Sequence, residues 1–389
     1  MAAAAGRQFD GLNWWFDHTT TFYGAPLLNL RIPGPTPCPE EVLQASAQQM
    51  INHRGPEFAQ VLRRVTDGLN WVFGSSSDVL SFTTSGTGGL EAAIVNTLSP
   101  GDRVLGISIG SFGDRLTSIA KTYGADVVSY ALEWGEAADP AEVGRLLDAD
   151  ASIKAVLVTH NETSTGVTNP LEAIAKEVRG RDRLLIVDAV SSMSSVPCPV
   201  ERWGLDVVVS GSQKGWMAPP GLAFVYMSER AWAANAEAKM PRFYFDAAKT
   251  RDSLSKLQTP WTPAISIYYA MDKAFELMTA EGLEGVFSRH ASIAEYARTR
   301  VKALGLKLVP VVEKHASNTV TAAWWPEGVD GKALSKRARE EFDVVLGGGQ
   351  GKLEGKIFRV GHLGWVNQDE VASALDVVER LLAAAKASA

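Results

Sequence analysis

Two cysteines in 389 residues, Cys38 and Cys198, are too few for a disulfide-stapled scaffold or a zinc centre of four thiolates. They are also far apart in the chain, so no zinc-finger spacing arises. Sparse cysteine use fits a reducing compartment. Basic residues are in the minority: 38 Lys and Arg against 44 Asp and Glu leave a net charge of −6. A chain of that sign lacks the footprint of a nucleic-acid or anionic-membrane binder. No apolar run approaches the roughly 18 residues that span a bilayer. The stretch Met1–Arg7 has no apolar h-region, and Ala387-Ser388-Ala389 matches neither a prenylation box nor a peroxisomal signal. The expectation is a cytoplasmic protein. Hydrophobic residues make up 46% of the chain and charged residues 21%, which is enough apolar material for a sizeable core.

Residues 1–29 read as an arm, with Trp14, Trp15, Phe16, Phe22 and Tyr23 among polar neighbours and no clean period. Such an arm needs a surface to bury on, its own core or a neighbouring subunit. Pro33-Gly34-Pro35-Thr36-Pro37 is a stiff extended or turning segment. From about residue 40 to 230, short apolar runs alternate with helical patterns. The runs begin at Val79, Val104, Val127, Ala155, Leu184, Val207 and Ala223. They are rich in β-branched residues and continuous rather than alternating, as strands covered on both faces should be. Leu90–Leu98, Arg115–Tyr123 and Leu171–Val178 are the helix candidates between them. This βαβα rhythm predicts an α/β fold with a mainly parallel sheet between helices. After about residue 265 the texture changes. Ile265–Ala280, Val286–Leu304 and Glu370–Ala385 read as helices, and Val309–Val312 and Thr319–Trp325 as strands. This part is expected to form a smaller C-terminal α/β domain.

Two predicted strand ends carry the most informative residues. Leu184–Val187 runs into Asp188, and Val207–Gln213 runs into Lys214. In open α/β sheets ligands bind outside the carboxyl ends of strands. Lysine forms Schiff bases with carbonyl compounds, and pyridoxal phosphate enzymes pair such a lysine with an acid on the pyridinium nitrogen. Either residue alone would pass for a turn cap or a surface charge. Thr83-Thr84-Ser85-Gly86-Thr87-Gly88-Gly89 lies between a strand and an apolar helix, a setting for a phosphate cup or for a plain N-cap. Gly106-Ile107-Ser108-Ile109-Gly110 matches a nucleophile-elbow pattern, but its two isoleucines favour an extended strand. Gly347–Lys352 superficially matches a P-loop, but Leu353 stands where Ser or Thr should hold magnesium. Arg359, among apolar residues, suits a bidentate carboxylate contact or a structural ion pair. Phe112 suits stacking on a flat ring or plain core.

Together these residues resemble the class V, fold-type I pyridoxal phosphate aminotransferases, above all the alanine–glyoxylate and serine–glyoxylate branch. The resemblance runs from Ile32 to about Leu382. It is carried by Pro33-Gly34-Pro35, His53-Arg54, Ser85-Gly86-Thr87-Gly88, Thr159–Gly166, Val187-Asp188, Ser210–Lys214, Pro219-Pro220-Gly221 and Arg359–Gly364. It implies a large cofactor-binding domain at residues 30–278 and a small domain at 279–389. It implies that Lys214 holds pyridoxal 5′-phosphate covalently and shuttles a proton, with Asp188 on the ring nitrogen. Ser85, Gly86 and Thr87 would bind the phosphate with help from Gln213. Phe112 would stack on the ring, and Thr163 would sit near its phenolic oxygen. Arg359 would clamp the substrate carboxylate, with the Gly34 backbone close by. It further implies a homodimer whose neighbouring subunit reaches the phosphate site. Gln258–Pro263 departs from the pattern of some relatives there, which leaves Thr259 and Thr262 open.

The expected reaction moves the amino group of serine or alanine to glyoxylate. Arg359 is the one arginine assigned to the site, which favours a donor without a second carboxylate; Arg54 could serve aspartate instead. Aspartate–glyoxylate, ureidoglycine–glyoxylate and pyridoxamine–pyruvate pairs remain alternatives on the same fold. Desulfuration is set aside because no Cys follows Cys198. A non-catalytic protein that keeps the fold is the reading from another class, and the retained Lys214 and Asp188 speak against it. No metal, nucleic-acid or membrane partner is expected.

Overall fold

The computed structural model describes residues 28–387. The aromatic part of the predicted arm therefore lies outside the described residues. A seven-stranded sheet runs in the order Leu80–Thr83, Leu222–Met227, Val207–Gly211, Leu184–Asp188, Ala155–Thr159, Arg103–Ser108, Asp126–Ala131. Each of these strands coincides with one of the seven apolar runs read from the sequence. Ala155–Thr159 and Val207–Gly211 are buried at every position, which is why they show no alternation. The five strands from Val207–Gly211 to Asp126–Ala131 pair in parallel. Leu222–Met227 is antiparallel to both of its neighbours. The connection before it carries no helix and is too short for the crossover that a parallel strand needs.

The helices follow the sequence pattern closely. Pro56–Phe73 starts on a proline, ends at Gly74 in the left-handed region (φ 64°), and buries Phe58, Val61, Leu62, Val65, Leu69 and Val72. That spacing is one face of a 3.6-residue period. Gly86–Thr97 and Ser111–Thr122 each begin just past the carboxyl end of a strand of the large sheet. Their N-termini therefore point at the edge where ligands bind in such sheets.

A second sheet of four strands has the order Asn29–Arg31, Val344–Gly348, Ile357–Gly361, Val320–Trp324. Its first strand departs from the sequence reading. Asn29–Arg31 pairs in parallel with Val344–Gly348, so the first described residues join the sheet built from the C-terminal part of the chain. A three-residue strand has no period to read. Val309–Val312 also departs: it is not a strand. Only Leu308 forms an isolated bridge, Pro310 has no N–H to donate, and Val311 is 70% exposed. One apolar cluster runs from Val42 to Met278 around the large sheet, and a separate one from Ile293 to Leu382 around the small sheet.

Candidate active site

The parallel register sets Asp188 level with Thr159 on one side and Val209 on the other. Lys214 leaves the next strand three residues past Gly211. Both side chains are buried, Asp188 at 4% exposure and Lys214 at 9%. Burial pushes the Asp188 carboxyl up to about 6; the charge of Glu162 adds to this, while the Val190 amide, Lys214 and Arg115 oppose it. The Val190 amide donates to Asp188 Oδ1 at 3.0 Å. Burial brings the Lys214 ammonium down to about 8, helped by the charges of Arg359 and Arg115 and opposed by Asp188. Lys214 Nζ donates to the Pro33 carbonyl. Gly34 is tight against it: a Cβ there would lie 2.6–2.8 Å from the lysine side chain, and its φ of +105° already suits glycine. Thr36 fixes the same stretch from the other side. Its amide donates to the Gln213 carbonyl at 3.1 Å and its hydroxyl to the Lys214 carbonyl at 2.9 Å.

Ser85 precedes the helix Gly86–Thr97 in extended backbone and makes no capping bond with its side chain. The first amides of that helix are thus left for another acceptor, the situation in which helix N-termini take anions. Gln213 flanks them. A Cβ on Gly211 would sit 3.1 Å from Gln213 Oε1 and 3.4 Å from the Gly86 nitrogen. Gln213 Oε1 is buried with no hydrogen-bond partner among the described residues. An uncapped helix start, an orphaned buried amide oxygen, and a lysine and a carboxylate of shifted pKa fit a phosphorylated pyridine aldehyde. Asp188, Lys214, Gln213 and the turn Ser85–Thr87 are the residues that would hold it.

Arg359 comes from the small sheet. It is 5% exposed, yet it has no carboxylate at ion-pair distance among the described residues. Its Nε donates to the Gly348 carbonyl (2.8 Å) and its Nη1 to the Thr163 carbonyl (2.9 Å). Burial lowers its pKa to about 10, with the charge of Glu162 opposing. It therefore remains a cation at neutral pH with both bonded partners neutral. A structural ion pair, the other reading of this residue, is absent. Phe112 is half-buried in the first turn of Ser111–Thr122, with the Arg115 guanidinium 4.7 Å from its ring centre.

The sequence reading missed three of these residues. Arg115 acts electrostatically on both Asp188 and Lys214, so Arg359 is not the only arginine near the site. Its one signal was its position three residues after Phe112, one helical turn on. Thr36 and Glu162 lay inside motifs noticed for other residues. Arg54, by contrast, donates to Gln258 Oε1 (3.2 Å) and to the carbonyls of Thr259 (2.5 Å) and Pro260 (3.5 Å), so within the chain it fixes that loop. Thr259 Oγ1 donates to the Trp261 carbonyl. Ser108 ends a strand, as its isoleucine neighbours suggested, and donates to Asp114 Oδ1 at 2.6 Å. Lys352 pairs with Glu133 at 2.9 Å and lies over Trp134.

The doubly covered sheet, with the buried Asp188/Lys214 pair at its carboxyl edge, has the architecture of the fold-type I pyridoxal phosphate transferases. The family description Aminotransferase class-V matches residues 29–350, and the chain belongs to that family of pyridoxal 5′-phosphate enzymes. A protein of Synechococcus sp. named soluble hydrogenase, small subunit, is 44% identical over 91% of this chain and 92% of its own length. An L-aspartate–glyoxylate aminotransferase of Paracoccus denitrificans is 39% identical over 90% of each. A serine–glyoxylate aminotransferase of Methylorubrum extorquens is 37% identical over 91% of this chain and 90% of its own. Among solved structures, an alanine–glyoxylate aminotransferase from Nostoc sp. superposes with a TM-score of 0.88 at 33% identity. It covers 92% of this chain and 96% of its own. Among the described residues, no group of three or more His, Cys, Asp and Glu is placed to hold a metal ion, and no helix is long and apolar enough to cross a membrane.

Proposed function

We propose that this aminotransferase moves the amino group of serine or alanine to glyoxylate, with Arg359 receiving the α-carboxylate common to donor and acceptor. The observation that carries the reading is the buried Arg359 guanidinium, which has two neutral carbonyl partners and no ion pair. A buried cation of that kind is costly unless an anion completes it. Bound pyridoxal phosphate supplies an electron sink for the carbanion formed at the substrate Cα. Lys214 holds the cofactor and moves the Cα proton through Nζ, which its depressed pKa of about 8 leaves partly unprotonated near neutral pH. Asp188 keeps a proton on the ring nitrogen. Ser85, Gly86, Thr87 and Gln213 receive the phosphate, Phe112 covers one ring face, Thr163 lies near the ring's phenolic oxygen, and the Gly34 backbone borders the substrate.

The test is a screen of half-reactions. The coloured holoenzyme is mixed separately with serine, alanine, aspartate, ureidoglycine and pyridoxamine, and loss of the cofactor band is followed. Glyoxylate, pyruvate and oxaloacetate are then compared for restoring it. Serine or alanine should react fastest and glyoxylate should restore the band best; any other donor or acceptor leading the series rejects that half of the assignment. Aspartate is the second reading. It is favoured by Arg115, an exposed cation over Phe112 with no ion pair among the described residues, which could meet a distal carboxylate.

The same reading includes a homodimer. Phe243 is 70% exposed and stacks on Trp261 at 5.0 Å, next to the loop Gln258–Pro263, and a second copy would cover this face. It includes a large domain at residues 30–278 and a small one at 279–389, supported by the two larger apolar clusters, with Leu30 and Arg31 pairing with the small sheet. A reducing cytoplasmic setting agrees with the two free cysteines, Cys38 and Cys198.

A further inference from the structure

Glu162 has no exposed surface, and no step above uses it. Its charge acts on both Asp188 and Arg359. Its Oε2 accepts from the amides of Phe112 (2.9 Å) and Gly113 (3.0 Å). Its Oε1 accepts from the amide (3.0 Å) and hydroxyl (2.6 Å) of Ser164. The Ser164 hydroxyl in turn accepts from the Ser111 amide at 3.0 Å. The first three amides of the helix Ser111–Thr122 are thus satisfied by one carboxylate and its serine, from a strand and turn some fifty positions along the chain. The residue at the helix start supplies no cap of its own, because it is Gly110. A Cβ on Gly110 would lie 2.4 Å from Ser164 Oγ and 2.6 Å from Glu162 Cγ and Cδ, so the cap requires glycine there.

The other side of the same turn holds Arg359. Thr163, between Glu162 and Ser164, gives its carbonyl to Arg359 Nη1. Glu162 is also the one charged group that opposes the burial of Arg359, and it does so without forming an ion pair. A direct pair would occupy the guanidinium fork. Neutral backbone carbonyls at Nε and Nη1, with the charge of Glu162 acting from outside contact distance, leave Nη2 for a ligand.

We propose that Glu162 is a positioning residue. Its carboxylate fixes the Phe112 ring for the cofactor and the Arg359 fork for the substrate carboxylate in one rigid turn, and so couples cofactor stacking to carboxylate recognition. The proposal rests on the roles given to Phe112 and Arg359 above. A carboxylate accepting several charge-assisted bonds at a helix N-terminus is a strong constraint. Losing it moves both groups that the turn holds.

Glu162→Gln in the full-length holoenzyme is the test. It keeps the shape but replaces one acceptor oxygen with an amide NH2 that faces donors. The bound cofactor's absorption and circular dichroism bands should shift. KM for the amino acid should rise about 10-fold, the size of one weakened charge-assisted hydrogen bond between the displaced Arg359 fork and the substrate carboxylate. Ser164→Ala, a milder change that leaves the carboxylate in place, should move the same two readouts less. It also serves if the Gln variant fails to fold. Phe112→Leu and Arg359→Lys are run beside them. If these two alter cofactor bands and KM while Glu162→Gln and Ser164→Ala only lower thermal stability, Glu162 is a structural cap and the proposal is overturned. If Phe112→Leu and Arg359→Lys themselves change nothing, the underlying reading of the site fails instead, and the proposal falls with it.

Discussion

Arg359→Ala removes a cation whose partners in the free protein are the carbonyls of Gly348 and Thr163. Alanine leaves those carbonyls without their donors but strands no opposite charge in contact, since no carboxylate pairs with Arg359 among the described residues. The loss therefore falls mainly on the bound substrate, whose carboxylate would be buried without a partner. Breaking a buried, hydrogen-bonded charge pair costs about 2–5 kcal/mol. At about 1.36 kcal/mol per tenfold, kcat/KM in each half-reaction should fall roughly 30- to 5,000-fold. Arg359→Lys should fall in between, because lysine restores the charge but not the planar fork. The assay is stopped-flow absorbance of the cofactor band, with amino acid for one half-reaction and keto acid for the other. A second comparison isolates the carboxylate: each protein is also given the simple amine that matches the amino acid with the carboxylate removed. The native enzyme should strongly prefer the amino acid, and the Ala variant should lose most of that preference. A variant that keeps the native ratio of amino acid to amine would refute the reasoning, even if it were slower overall.

Two further outcomes follow from the same geometry. Asp188 has its carboxyl raised to about 6, so below that pH the site loses the anion that, in the proposed arrangement, would face the ring nitrogen. Cofactor affinity of the apoprotein should rise as pH increases through about 6, measured by fluorescence titration, and Asp188→Asn should flatten that dependence and cut turnover by about 100-fold or more. The exposed Phe243–Trp261 stack predicts a two-fold dimer by sedimentation, weakened by Phe243→Ser; a stable, active monomer would contradict it.

The local chemistry of this chain was legible in its sequence. All seven strands of the large sheet showed as apolar runs; the inner ones do so because they are covered on both faces, whereas Asp126–Ala131 at the edge is only half-buried or exposed along its length. Asp188 and Lys214 drew notice because one ends such a run and the other lies three residues past the end of the next strand, and strand ends are where a sheet presents side chains to a ligand. Two short segments differ from the sequence reading: Asn29–Arg31 is a strand of the small sheet where the sequence reads only as an arm and an extended entry, and Val309–Val312 is not the strand that its sequence predicts. Three residues carry no period, and an apolar stretch interrupted by Pro310 is a strand only if a neighbouring edge offers a partner. What the tertiary structure alone decided is how remote segments meet. Among the described residues no carboxylate comes within ion-pair reach of Arg359, whose partners are the carbonyls of Gly348 and Thr163. Arg54 turned toward its own loop, and Arg115 came to lie over Phe112. Glu162 became the cap of a helix it does not belong to, because Gly110 offers no side chain and leaves room for one from elsewhere. Propensity and periodicity act over a few residues, whereas the pairing of buried charges is fixed by which strand ends the sheet order places side by side.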